Sequence, residues 1–253
     1  MRRRAKLGFI LVIAMLLVTA AVIVSARQVE REDKRFVTYV VDPQKQDVRL
    51  FWKDDRNENF RSIQKLKTWL EANHYLLVFA MNGGMYQPDN SPQGLFIEKG
   101  KVISPIDVSD GTGNFYLKPN GVFYITNKNV AVICSTGDFK GDDNIEYATQ
   151  SGPMLLLNGQ IHPSLKEGSS NLNIRNGVGI LPGNKIIFAM SKEAINFYDF
   201  ANYFKSIGCK NALYLDGLVS RTYLPEKKWA QTDGNFGVII GIVKPLEIII
   251  NTR

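Results

Sequence analysis

After residue 34 the chain consists mainly of short runs of β-branched, aliphatic and aromatic residues separated by polar turns. Runs of this length, with Gly, Pro and Asn between them, predict β-strands. The predicted strands are 36–41, 48–52, 76–81, 95–97, 101–104, 115–117, 122–126, 130–134, 154–157, 186–190, 212–215, 236–243 and 246–250. We expect the first two to form a hairpin at Asp42-Pro43, and we expect the sheet to be mostly antiparallel because turn residues separate most of the strands.

Two segments have apolar residues at helical spacing. Ile63, Leu66 and Leu70 recur on one face of residues 60–73, and aromatic residues cluster on one side of residues 193–206. The second segment ends before Gly208, a residue type that commonly terminates helices. Two main helices and a mostly antiparallel sheet predict an α+β fold, organised as a single domain.

The first 26 residues differ from the rest of the chain. Basic residues at 2–4 and 6 precede Leu7 to Val24, a run of 18 residues in which only Gly8 and Thr19 are not hydrophobic. As a helix, residues 7–26 would span about 30 Å, the thickness of a bilayer core. We predict a signal-anchor or a cleaved signal peptide at 1–26, with the length favouring the anchor, and a domain at 27–253 that lies outside the cytoplasm.

Charge and cysteine content exclude some classes of protein. The chain has a net charge of +7, but four of its 31 basic residues precede the apolar run, which leaves 27 against 24 acidic residues, or +3, for the domain. A charge this small gives no indication of nucleic-acid binding. Cys134 and Cys209 could form one disulfide, but we expect them to be small buried hydrophobic residues instead.

Several predicted strands end in a turn that combines glycine with a polar residue. These segments are Asn82-Gly83-Gly84, Ser151-Gly152, Arg175-Asn176-Gly177 and Asp216-Gly217. Polar groups at strand ends are held by a rigid scaffold, and glycine lets a ligand approach the backbone closely. Four such turns predict a composite pocket, although each one alone is also typical of an ordinary strand end.

In order along the chain, these segments resemble the motif series of the phosphodiester glycosidase family. The resemblance covers about residues 75–243, and the order of the motifs is more specific than any one of them. Its segments are 82–86, 91–95, 113–115, 118–123, 150–155, 175–179, 215–217 and Ser220. The family includes the lysosomal uncovering enzyme, so the resemblance implies hydrolysis of the bond between a sugar anomeric carbon and a phosphate.

The resemblance also implies roles for individual residues. Asp216 is expected to act on water or on the oxocarbenium-like centre, and Arg175 to bind the phosphate through its planar fork. Asn82, the third residue of the expected catalytic set, is expected to orient sugar hydroxyls, as is Asn114. Substrate contacts are expected from eight further residues: Gly83, Gly84, Asn114, Ser151, Gly152, Asn176, Gly217 and Ser220. Without the resemblance, Asn82 is equally typical of a turn and Arg175 of a surface ion pair.

The sequence leaves two other functions open. The domain could be a non-catalytic envelope module that binds glycan or phosphate polymers, or a structural domain in which Asn82, Arg175 and Asp216 lie far apart. The predicted partners are a carbohydrate or sugar-phosphate substrate and the membrane, but not nucleic acid.

No cofactor is predicted from the sequence. The loop with Asp138, Gly141, Asp142 and Asp143 is either a Ca²⁺ or Mg²⁺ site or, as we expect, simply solvated.

Overall fold

The computed structural model describes residues 33–216 and 219–246. The predicted membrane segment at 1–26 and the predicted domain boundary at residue 27 lie outside these ranges. Within them, no helix has the length and apolar character needed to cross a membrane.

The described chain contains sixteen strands and two α-helices. In chain order they are β1 (Phe36–Val41), β2 (Asp47–Phe51), α1 (Ile63–Ala72), β3 (Tyr75–Asn82), β4 (Phe96–Glu98), β5 (Lys101–Ser104), β6 (Gly121–Thr126), β7 (Ala131–Ser135), β8 (Ile145–Ser151), β9 (Met154–Leu157), β10 (Gln160–Ile161), β11 (Asn176–Leu181), β12 (Lys185–Ser191), α2 (Phe197–Ser206), β13 (Ala212–Asp216), β14 (Thr222–Leu224), β15 (Trp229–Ala230) and β16 (Ile239–Pro245). Short 3₁₀ turns occupy Asn114–Tyr116, Pro182–Asn184 and Pro225–Lys227.

These strands form three sheets, in which the paired strands are antiparallel. Sheet A has the order β1-β12-β11-β13-β9-β10, sheet B the order β15-β14-β3-β16-β2, and sheet C the order β5-β4-β8-β6-β7. The largest apolar cluster takes side chains from all three, among them Phe79 of sheet B, Phe123 of sheet C and Phe188 of sheet A. The α+β prediction is confirmed, and the three sheets share the largest buried cluster.

Each helix covers the outer face of one sheet. Leu66 and Leu70 of α1 pack with Leu77 and Ile239 of sheet B, and the N-cap Ser62 accepts a hydrogen bond from the Lys65 amide. On the other side, α2 packs Phe200 and Phe204 against sheet A. Asn196 caps α2 in the same way by accepting from the Asp199 amide, and both caps satisfy amides that the first turn of a helix leaves free.

The predicted hairpin of β1 and β2 is wrong. The turn at Asp42 does form, since its carbonyl accepts the amides of Lys45 and Gln46. However, β1 pairs with β12 in sheet A, whereas β2 pairs with β16 in sheet B. The turn therefore carries the chain from one sheet to another.

Other predicted elements differ in type or extent. Residues 114–116 form a 3₁₀ turn instead of a strand, α2 begins after Asn196 instead of at residue 193, and the last strand ends at Pro245. The predicted strand at 246–250 lies almost entirely outside the described residues. Strand β8 is unpredicted because Glu146, Thr149 and Gln150 interrupt its apolar pattern.

The segment from Asn176 to Gly179 is a buried strand, not a turn. Gly177 and Gly179 lie in β11, between β12 and β13 of sheet A. A Cβ on Gly177 would lie 2.8 Å from the Leu213 carbonyl oxygen, and one on Gly179 would lie 2.7 Å from the Phe204 ring. Glycine is thus required here by close packing within the sheet.

Candidate active site

Three strand ends bring Asn82, Asn176 and Asp216 together. Asn82 is the last residue of β3 in sheet B, whereas Asn176 begins β11 and Asp216 ends β13 in sheet A. In the β11–β13 ladder, Asn176 lies directly opposite Asp216. Strands of two sheets therefore place three polar side chains at one point, and all three are at least nine-tenths buried.

The carboxamide of Asn82 is fixed by hydrogen bonds on both of its ends. Its Nδ2 donates to Oδ2 of Asp216 at 3.3 Å, and its Oδ1 accepts from Nδ2 of Asn176 at 2.8 Å and from the Arg221 amide at 2.9 Å. Asn82 thus has one defined orientation, with its NH₂ group on the carboxylate.

Asn176 connects all three members of this cluster. Its Nδ2 also donates to the backbone oxygen of Asn82 at 3.0 Å, and its Oδ1 accepts the backbone amide of Asp216 at 2.8 Å. The network satisfies buried polar groups that would otherwise destabilise the fold. It also fixes the Asp216 backbone, from which the carboxylate projects.

Two serines fix the chain on either side of Asp216. Ser151, at the end of β8 in sheet C, donates from Oγ to the backbone oxygen of Leu215 at 2.7 Å. Ser220 donates from Oγ to the backbone oxygen of Asp216 at 2.9 Å. The third sheet is thereby joined to the same strand end, and both serine hydroxyls are used in protein contacts.

The glycines predicted to contact substrate lie in tight packing. A Cβ would be 2.7 Å from Ile240 at Gly83, 2.7 Å from Thr149 at Gly84, and 2.8 Å from the Phe115 carbonyl oxygen at Gly152. Packing thus explains the absence of a side chain at these positions, and their contact with substrate stays a prediction.

The structure does not test the predicted substrate contacts of Asn114 and Gly217. Asn114 is exposed and its side chain makes no hydrogen bond within residues 33–216 and 219–246, although its backbone oxygen lies beside Gly152. Gly217 lies outside the described residues. For both, the predicted role stays a prediction.

Arg175 lies next to Asn176 in the chain, but its guanidinium contacts other groups. The side chain is 1% exposed and stacks on the Phe197 ring at 3.6 Å. Its Nε donates to the Ile195 carbonyl oxygen at 2.7 Å, its NH2 to the backbone oxygen and Oδ1 of Asn171 at 2.8 and 3.2 Å, and its NH1 to the Tyr214 hydroxyl at 3.4 Å. Protein acceptors thus occupy all three nitrogens, and phosphate binding by Arg175 stays a prediction.

Burial shifts the pKa values of Arg175 and Tyr214. It raises the pKa of the Tyr214 hydroxyl well above its usual range, against the opposing effect of the Arg175 charge. It also lowers the pKa of the guanidinium. Tyr214 is therefore a neutral hydroxyl at physiological pH, two residues before Asp216.

Hydrogen bonds from neighbouring residues hold the acidic loop. Asp142 accepts hydrogen bonds from the backbone and side chain of Asn144, and Asp138 accepts one from Ser135. No group of three or more His, Cys, Asp or Glu residues is placed to hold a metal ion in the described part of the chain. Cys134 and Cys209 are not joined by a disulfide, and Cys209 packs in the core beneath α2.

Comparison with known proteins identifies relatives of this chain. A family model described as phosphodiester glycosidase matches residues 75–239. The uncharacterised protein YigE of Escherichia coli (strain K12) is 37% identical over 187 residues, which cover 74% of this chain and 73% of that protein.

Solved structures share the fold. The catalytic domain of zebrafish N-acetylglucosamine-1-phosphodiester alpha-N-acetylglucosaminidase, auto-inhibited by its pro-peptide, matches with a TM-score of 0.57 at 15% identity, over 84% of this chain and 85% of that chain. A hypothetical protein from Synechocystis matches with a TM-score of 0.51 at 13% identity, over 82% and 59% of the two chains.

Proposed function

Because the chain belongs to the phosphodiester glycosidase family, we propose that it hydrolyses the bond between the anomeric carbon of a sugar and the phosphate of a phosphodiester. In this reaction a water oxygen bonds to the anomeric carbon while the bond from that carbon to the phosphate oxygen breaks. The electron pair leaves with the phosphate, so the products are a free sugar and a phosphomonoester.

The observation that carries this proposal is the geometry around Asp216. Its carboxylate accepts a hydrogen bond from Asn82, and its backbone is fixed by Asn176 and Ser220. A carboxylate held in one position can take the proton from an attacking water or stabilise positive charge at the anomeric carbon. Asp216 is the proposed catalytic carboxylate, and Asn82 orients it.

Hydrolysis with a phosphate leaving group does not require a strong general acid from the protein. A phosphate leaving group already carries negative charge and leaves readily, so stabilisation of charge matters more than a strong acid. One positioned carboxylate with the neutral donor Asn82 beside it suits this requirement.

We also propose that the domain works outside the cytoplasm. The basic residues at 2–4 and 6, followed directly by the apolar run 7–24, support export, with the domain translocated across the membrane. A phosphatase that folds only in an oxidising compartment, fused to residue 253, tests this. Activity of the fusion in whole cells is expected, and activity confined to a cytoplasmic reporter fused at the same position would contradict it.

The direct test of function is turnover by the full chain purified in detergent. We expect it to release free sugar from N-acetylglucosamine-1-phosphodiesters or from another sugar-1-phosphodiester, with Asp216→Asn about 1,000-fold slower and Asp143→Asn, in an exposed loop, fully active. If the folded wild-type protein turns over no such substrate, the enzymatic proposal fails. Binding without turnover would identify a glycan-binding module instead.

A further inference from the structure

Tyr86 lies beside the Asp216 cluster; it ends the motif segment 82–86 but was not among the predicted site residues. It follows β3 by four residues, and its backbone forms an isolated antiparallel bridge with Pro92. A Cβ on Gly237 would lie 2.7 Å from the Tyr86 Cβ, so the two chains touch at this point. Ile239, two residues further on, pairs with Asn82.

The ring of Tyr86 is partly buried, and its hydroxyl has no partner among the residues that the structure describes. The ring packs against the apolar cluster of α1 and sheet B. Within residues 33–216 and 219–246 the hydroxyl makes no hydrogen bond and is not one of the buried polar atoms without a partner, so it is accessible to solvent. The packing fixes the ring and leaves the polar end available to a ligand.

The hydroxyl also lies within electrostatic range of the catalytic carboxylate. Burial raises the pKa of Tyr86, and the negative charge of Asp216 raises it further. Among the described tyrosines with a raised pKa, only Tyr86 and the buried Tyr214 respond to Asp216. Of these two, the hydroxyl of Tyr214 contacts Arg175, whereas the hydroxyl of Tyr86 is left open to a substrate.

We propose that Tyr86 is a further catalytic residue, whose hydroxyl donates a hydrogen bond to a phosphate oxygen of the substrate bound next to Asp216. This inference rests on the proposed function. A phenol that stays neutral does not repel the phosphate, and its hydrogen bond strengthens as the leaving oxygen gains charge. A single donor of this kind contributes about 100-fold to the rate constant.

Tyr86→Phe tests the proposal, because it removes one oxygen atom and keeps the packed ring. We expect kcat to fall about 100-fold, with KM changed less than about threefold and the melting temperature preserved. Tyr124→Phe is the matched control, since Tyr124 is also partly buried with a burial-raised pKa but lies near Cys134 and Asp142. A Tyr86→Phe variant as active as Tyr124→Phe would overturn the proposal while leaving the proposed function intact.

A second measurement does not depend on turnover. In full-length protein labelled with ¹³C at tyrosine Cζ, the Tyr86 signal, assigned from the Tyr86→Phe spectrum, is expected to move saturably when inorganic phosphate is added at neutral pH. The Tyr124 signal is expected to stay in place. A Tyr86 signal that does not respond to phosphate contradicts the proposed contact whether or not the protein proves to be an enzyme.

Discussion

Asn82 donates a hydrogen bond of 3.3 Å to the carboxylate of Asp216, although 134 positions separate the two residues in the chain. One ends a strand of sheet B and the other ends a strand of sheet A. The pair therefore forms only when both sheets pack on their shared core. The position of the carboxylate depends in this way on the complete fold.

Replacing Asp216 by Asn is expected to lower kcat by about 1,000-fold, because the amide cannot take a proton from water. The fold should survive, since the new carboxamide oxygen can still accept the hydrogen bond from Asn82. Steady-state kinetics and thermal unfolding of the two proteins check this. Activity within tenfold of wild type would exclude Asp216 as the catalytic carboxylate.

Replacing Asn176 by Ala is expected to destabilise the protein by about 3 kcal/mol. The change leaves the Asp216 amide without its buried acceptor and removes the donor to both Asn82 oxygens, of which Oδ1 keeps the Arg221 amide. Asn173→Ala is the control, because the Asn173 side chain is exposed and bonds only its neighbour Asn171. Urea unfolding of both variants measures the difference, and equal stabilities would show that the Asn176 network is dispensable.

The sequence predicts structure that depends on residues close together in the chain, but not the pairing of segments that are far apart in it. The helices follow from local spacing and caps, and most strands follow from short apolar runs. The pairing partner of each strand cannot be predicted from these local signals. Strands β1 and β2 show this, because a correctly predicted turn joins strands of two different sheets. Turn chemistry fixes the direction of the chain locally, whereas pairing is decided by packing across the whole core.

The candidate site shows the same limit. The order of the glycine-containing motifs indicated which strand ends matter, and Asn82, Ser151, Asn176 and Asp216 do lie at strand ends. The direction of each side chain could not be predicted from that order. Arg175 precedes Asn176 by one position, and its guanidinium packs beneath α2.

Gly177→Ala tests whether the glycines of β11 are needed for packing within the sheet. The added methyl group would lie 2.8 Å from the Leu213 backbone oxygen, so a backbone must shift, and we expect a loss of about 1–3 kcal/mol. Gly141→Ala, where a Cβ meets no atom within 4 Å, should change stability by less than about 0.5 kcal/mol. The contrast is measured by chemical unfolding, and two equally stable variants would contradict the packing argument.

Glu98 gives the protein a pH-dependent stability. Burial raises the pKa of its carboxyl to about 7, although Lys99 opposes the shift. The unfolded chain releases the proton near the ordinary value of 4.5, so the stabilisation is complete below pH 4.5 and is lost as the pH rises through 7. Glu98→Gln keeps the neutral form, and we expect it to match wild type at pH 4 and to exceed it by about 2 kcal/mol at pH 8. An equal difference at both pH values, in urea unfolding, would refute this.

Arg175→Lys tests whether the buried guanidinium stabilises the fold or binds the substrate phosphate. Lysine keeps the charge but cannot reproduce three separate hydrogen bonds to Ile195, Tyr214 and Asn171, or the stacking on Phe197. Because these contacts are made within the protein, we expect a loss of about 2–4 kcal/mol in stability, with KM for a sugar phosphodiester changed less than about threefold.

Arg221→Lys is the matched control for stability, because Arg221 forms its two-point pair with Asp233 near the surface, where such pairs contribute less than about 1 kcal/mol. A phosphate-binding Arg175 would give the opposite result, with stability preserved and KM raised at least tenfold. That outcome would require Asn171 to move away from the guanidinium when substrate binds, since its two oxygens now occupy NH2.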